Sequence, residues 1–250
     1  MRKTIALASV MLLGASVPLT LPAQDDGGNM SRVFLVKVKH QHGEEFRDGL
    51  KAYFGCYGEN GGEKSYSVYS AETGKLGRYA ITTGDHKWAA FDEQEEASKA
   101  CSETFGEKVV PHMDGAKSLF RRYMAEQSRV KEGEYNVFQV IDFKVDDSRR
   151  FVDAVTKITE AAEEADWGNF AWYDVHSSGG DAGNFHVVIP KKNFAGFDVG
   201  NKPLWEMVED VHGKETAGKL RTDLMETVEK DWSNIWEKQP ELSYSPEASE

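Results

Sequence analysis

Apolar residues along the chain alternate between short runs and helical stripes. Val33, Phe34, Leu35 and Val36 are apolar in succession within Val33 to Val38, which predicts a strand covered on both faces. Over Glu44 to Tyr57, the residues Phe46, Leu50, Phe54 and Tyr57 recur at helical spacing with Tyr53 alongside, which predicts an amphipathic helix. Gly58 to Gly62 supplies turn residues, and Tyr66–Ser70 and Tyr79–Thr83 then read as a strand hairpin. Helical material is predicted from Lys87 to Phe105 and from about Met113 to Ala125.

The same order then recurs. Val137 to Phe143 reads as a strand. Asp147 or Ser148 can cap a helix whose stripe is Phe151, Val155, Ile158, Ala162 and Ala165. Phe170–Val175 and Phe185–Ile189 form a second hairpin around Ser177 to Asp181. Helices resume at Asn193, and Leu220, Leu224, Val228 and Trp232 line the last long one, before a terminal strand beginning at Ile235 and Trp236. Anchor residues pair across the copies: Phe34 with Phe138, Phe46 with Phe151, Tyr66 with Trp172, Tyr79 with Phe185, Ile81 with Val187, and Trp88 with Phe194. The offset is 104 at the first pair and 106 at the last. An internal period of this kind sets the architecture before any local assignment does. The expectation is an α+β chain of two ferredoxin-like repeats, residues 32–133 and 134–243, with a flexible tail at 244–250. Helices cover one face of each sheet, so the other face must be covered by the other copy's sheet.

This arrangement resembles the dimeric α/β-barrel superfamily, which includes the antibiotic-biosynthesis-monooxygenase-like and NIPSNAP-like proteins. The resemblance spans nearly all of the chain after its first residues, in plan rather than in any motif. It implies two units facing each other in an intramolecular barrel, with a cavity between the sheets. The superfamily holds cofactor-free oxygenases, haem enzymes and proteins with no known activity, and plan alone does not choose among them.

Charge and the N-terminus narrow the setting. Met1-Arg2-Lys3 is basic, Thr4 to Leu21 is apolar or small, and Leu21-Pro22-Ala23 offers a cleavage site. Residues 1–23 therefore read as a secretory signal peptide, 24–31 as a linker, and the mature protein as periplasmic or secreted. A membrane anchor is the alternative, but Gly14, Ser16 and Pro18 break the apolar stretch. Cleavage removes only Arg2 and Lys3 among the charged residues, taking the formal charge from −12 to −14. That balance argues against nucleic acid and, after cleavage, against a membrane surface as partner.

Candidate chemistry concentrates in the second copy. Asp142 falls where the first copy has Val38, and His186 where it has Ala80. The first and third strands of a ferredoxin-like sheet are neighbours, so Asp142 and His186 can meet as a general-base pair, or as a satisfied buried pair. Trp172, Tyr173, Asp174 and His176 on the hairpin are candidate ligand-binding residues. His40-Gln41-His42 has the form of a two-ligand metal hook, but an exposed loop explains it better, and no metal or other cofactor is expected. Nothing supplies an axial-ligand context for haem. Cys56 and Cys101 lie in helices on one sheet face, and their second-copy counterparts near Ala161 and Met207 or Val208 are apolar. Both a disulfide and two buried thiols suit them. Three functions stay open: binding of a small apolar or aromatic molecule between the sheets, cofactor-free oxygenase or isomerase chemistry by His186 with Asp142, and a structural or interaction role.

Overall fold

The computed structural model describes residues 28–92, 94–179, 182–200 and 202–246. The expected signal segment, most of the expected linker and the residues beyond Pro246 lie outside the described residues. Strand β1 (Met30–Val38) leads into helix α1 (Gly43–Glu59), then β2 (Tyr66–Ala71) and β3 (Arg78–Thr83). Two short helices, α2 (Glu96–Ala100) and α3 (Ser102–Lys108), precede β4 (Met113–Tyr123). The second half runs β5 (Val137–Val145), α4 (Ser148–Glu164), β6 (Ala171–Ser177), β7 (Phe185–Lys191), α5 (Leu204–His212), α6 (Lys214–Thr227) and β8 (Val228–Lys238). A single 3-10 turn follows β3 at Trp88–Phe91, and another follows β7 at Phe194–Phe197. No helix among the described residues is long and apolar enough to cross a membrane.

All eight strands pair antiparallel and close a barrel in the order β1-β3-β2-β8-β5-β7-β6-β4. The halves join at two seams, β2 with β8 and β4 with β6. Successive side chains on a strand point to opposite faces, so each strand serves two compartments. Val33, Ala71, Ala80, Leu119 and Trp236 pack inside the barrel with Leu35, Tyr69, Val140 and Val175. Their neighbours Val36, Val68, Tyr79 and Ile81 face outward onto Phe46, Leu50, Phe54 and Tyr57 of α1. Gly49 permits that packing: a Cβ there would lie 1.9 Å from the Lys108 carbonyl oxygen, so α1 reaches the backbone of α3. Asp147 caps α4, its carboxylate accepting from the Arg150 backbone N–H at 3.0 Å.

A disulfide joins Cys56 of α1 to Cys101, the residue between α2 and α3, across Cα atoms 5.9 Å apart. The second-half counterparts Ala161, Met207 and Val208 are fully buried. Tyr244, placed in the tail by sequence, is pinned instead: its backbone pairs with Tyr66 and its ring stacks on Phe54 at 5.9 Å.

Three expectations are corrected. Met113–Ala125 is not helical; Met113–Tyr123 is the strand β4, hydrogen-bonded along its length to β1. The helix expected to run through Trp232 stops at Thr227, and the terminal strand begins at Val228 rather than Ile235. The offset between the first strands is also wrong. The ladder irregularity falls at Lys37/Val38 in β1 and at Lys144/Val145 in β5, an offset of 107. Asp142 thus corresponds to Leu35, which faces the interior, and not to outward-facing Val38. Phe138 lies inside the barrel against Tyr69, whereas Phe34 packs outward with the helix layer. An odd slip in a strand always exchanges the faces.

Candidate functional site

Strand parity divides the candidate residues between two places. Asp142 of β5, His186 of β7 and Tyr173 of β6 point into the barrel. There the ladder sets Asp142 opposite His186, and His186 opposite Tyr173. Arg121 of β4 completes the group. Its Nη1 donates to His186 Nε2 at 3.0 Å, its Nε donates to Ser31 Oγ at 3.1 Å, and its guanidinium lies 4.0 Å from the Tyr173 ring centre.

This arrangement determines what His186 can do. Arginine is an obligate donor, so His186 accepts at Nε2 and keeps its proton on Nδ1. Burial, and then the Arg121 cation, hold the His186 pKa well below the ordinary imidazole value. The accepting nitrogen of a general base is therefore already occupied, and the ring stays neutral. Its Nδ1 lies 3.9 Å from Asp142 Oδ1, too far for a hydrogen bond. Asp142 is the better proton acceptor. Burial raises its pKa to about 6, against the lowering effects of Arg121, Arg78 and a hydrogen bond from Trp232. Asp85, also facing Arg121, is raised by burial too.

The other candidates point away from this group. Trp172 packs outward against Phe143 and Phe151. Asp174 pairs with Arg122 at 2.6 Å, and the His176 ring lies 5.5 Å from Trp88. His42 meets His112 rather than a metal set, Nδ1 to Nδ1 at 3.0 Å. No group of three or more metal-ligating side chains occurs among the described residues.

A cavity lies outside the barrel, between the outer face of β5, β6 and β7 and the helices α4 and α6. It measures about 590 Å³. Ile141, Phe143, Trp172, Val187 and Ile189 form its sheet wall, and Phe151, Val155, Ile158 and Leu224 its helix wall. Sequence reasoning placed the cavity between the two sheets; there Val33, Ala71, Ala80, Leu119 and Trp236 form a cluster, and Tyr69, Asp142 and Tyr173 keep partial exposure.

Helix composition explains the location. Helices α1 and α4 each have 17 residues, and Phe46 matches Phe151 in position. Leu50, Phe54 and Tyr57 of α1 then match Val155, Thr159 and Ala162 of α4. The first half fills the helix–sheet space with large rings, with Tyr57 fully buried. On the helix wall of the pocket the second half has Val155 where the first has Leu50 and Ile158 where it has Tyr53, while Thr159 and Ala162 are buried away from it. That signal was readable in the sequence as large-to-small exchanges between the matched helices. Trp172 pairs with Val187 as Val68 pairs with Ile81, so the sequence match of Trp172 with Tyr66 is two residues off. The pocket lining contains no histidine, cysteine or methionine, and Tyr135 donates its hydroxyl to the Lys131 carbonyl, so the lining does not fit the axial ligation of a haem iron.

The Asp142 environment has a stability consequence. Its folded pKa lies above the unfolded value, so the folded state prefers the protonated acid, and stability falls as pH rises from about 4 to about 6. The shift corresponds to roughly 3 kcal/mol. Asp142→Asn should therefore raise the thermal midpoint more at pH 8 than at pH 4, by several degrees, measured by circular dichroism. An equal change at both pH values would contradict the buried-acid assignment.

No protein-family model matches the chain, and no curated protein matches it. Solved structures do. A candidate monooxygenase from Lactobacillus acidophilus NCFM superposes with a TM-score of 0.54 at 10% identity, covering 87% of this chain and 96% of that one. An anthrone oxidase-like protein gives 0.54 at 13% identity, covering 92% and 97%. A mutant chlorite dismutase from Candidatus Nitrospira defluvii, in complex with cyanide, gives 0.53 at 12% identity, covering 86% and 93%. At these identities the likeness is one of fold: an eight-stranded antiparallel barrel flanked by helices, the dimeric α/β barrel, closed here within a single chain.

Proposed function

We propose that the protein binds a small, largely apolar or aromatic molecule in the pocket between α4 and the outer face of β5, β6 and β7. The observation that carries this reading is the pocket itself, a space of about 590 Å³ walled by aromatic and aliphatic side chains. Pockets of this size and character are typical of small-molecule sites. Truncating large side chains in a sealed core costs about 2–5 kcal/mol each when a cavity remains. A retained space of this size is therefore better understood as a binding site than as imperfect packing. We also propose that the halves are two copies of one ferredoxin-like unit, of which the first is filled for stability and the second opened for binding.

Export fits the same picture. The N-terminal segment reads as a signal peptide, and the Cys56–Cys101 disulfide suits an oxidising compartment. The mature protein from a native culture should begin near Gln24; an intact Met1 on the extracytoplasmic protein would contradict cleavage.

A second reading, cofactor-free oxygenase chemistry, draws support from the names of the fold neighbours and from one observation. Asp142 is a partly accessible acid with a pKa of about 6, beside a neutral His186. In this reading Asp142, not His186, is the proton acceptor, and Asp142→Asn should abolish substrate-dependent oxygen uptake; full uptake in that variant would end it.

Binding is tested with N-phenyl-1-naphthylamine, a neutral aromatic dye whose fluorescence rises in apolar sites. The wild type should bind one equivalent. Leu224→Trp, which fills the pocket, and Ala165→Trp, at its exposed mouth, should each weaken binding about tenfold while leaving the melting transition cooperative. Unchanged binding in both folded variants would overturn the reading.

A further inference from the structure

The pocket has a charge pattern opposite to that of the chain. The protein carries a formal charge of −12. Yet the charged residues lining the pocket are four lysines, Lys131, Lys191, Lys192 and Lys202, and one acid, Asp166. They arrive from different parts of the fold. Lys131 lies in the segment joining the halves, Lys191 ends β7 with Lys192 next to it, and Lys202 precedes α5. Their convergence is a property of the folded site and not of a basic run in sequence.

The acids present do not neutralise the group. Asp166 is shared, pairing with Lys131 at 3.2 Å and also with Arg129. Lys202 pairs with Asp210. Lys191 has its ammonium 5.7 Å from the Phe197 ring centre, a contact that adds no negative charge. Lys192 has no hydrogen-bond or ion-pair partner among the described residues and is exposed. Among the described residues, two ammonium groups at the end of β7 are thus left without a carboxylate, at the edge of an apolar pocket.

We infer that the ligand of this pocket is an amphipathic anion: an apolar or aromatic body seated between α4 and the sheet, with a carboxylate, sulfonate or phosphate group held at the lysine rim. This rests on the pocket being a binding site. A charge-assisted hydrogen bond from lysine to an anionic oxygen is stronger than a neutral one. The low dielectric of the apolar walls further strengthens the attraction at the rim. An uncharged molecule of the same shape would gain only the burial of its apolar surface.

Two probes that share one body separate the terms. 1-Anilinonaphthalene-8-sulfonate carries the sulfonate, and N-phenyl-1-naphthylamine is the same ring system without it. The sulfonate should bind about tenfold more tightly to the wild type, and its affinity should fall as ionic strength rises. The double variant Lys191→Gln/Lys192→Gln should lose about that factor for the sulfonate and less than about twofold for the neutral dye. Both positions lie at the rim, so the melting transition should be unchanged. Equal affinities for the two probes, unaffected by the lysine changes, would overturn this inference while leaving the pocket as an apolar site. Sulfonate binding that survives Leu224→Trp and Ala165→Trp unchanged would place it elsewhere and overturn both.

Discussion

Closure of the antiparallel ladder is the constraint on which the rest of this molecule depends. Because the eight strands return on themselves, every strand has one face in the barrel and one outside it, which helices cover over β1–β3 and β5–β7 and leave largely exposed on β4 and β8. Adjacent residues therefore belong to different environments. His186 faces Arg121 and Asp142 inside, while Val187 lines the external pocket. Tyr173 lies under the Arg121 guanidinium, while Trp172 forms the pocket wall. Each half supplies four strands, and the seams β2–β8 and β4–β6 hold the two together.

Within that frame the two halves are packed differently. In the first half, Phe46, Leu50, Phe54 and Tyr57 fill the helix–sheet space, Cys56 is tied to Cys101, and Tyr244 closes over the helix. In the second half, Val155 and Ile158 stand where the first has Leu50 and Tyr53, and a pocket lies against them. The barrel interior holds Arg121, Asp142 and His186. There, burial keeps His186 neutral and makes Asp142 the more basic carboxylate. The polar group and the pocket lie on opposite sides of one sheet, so a molecule in the pocket does not touch His186.

Much of the fold was legible as periodicity, because α1, α4 and the hairpins carry strong apolar patterns. The closing strands were not. In β4, Met113, Ala116, Leu119, Phe120 and Tyr123 sit at helical spacing, and no residue is β-branched. In β8, Val228 and Trp232 extend the four-residue spacing of Leu220 and Leu224 from α6. Both strands are defined by pairing with a distant partner, β1 or β5, and such long-range pairing leaves little local trace. The pairing of Asp142 with His186 was legible from topology, although the first-copy match of Asp142 was three residues off. Arg121 was missed because its strand was read as helix, and with it the reason His186 is a poor base. The pocket was missed because the cavity was sought between the sheets; comparing side-chain size between α1 and α4 would have located it.

The central claim is that ligand binding belongs to the outer face of the second half and not to the barrel interior. Side-chain NMR during titration with N-phenyl-1-naphthylamine tests it directly, since neighbouring residues on one strand report from opposite sides. The account predicts shifts at the Trp172 indole and the Val187 and Ile141 methyl groups, with the Tyr173 ring and the Val140 methyl groups unmoved. Shifts confined to Tyr173, Val140 and His186 would place the ligand inside the barrel and contradict it.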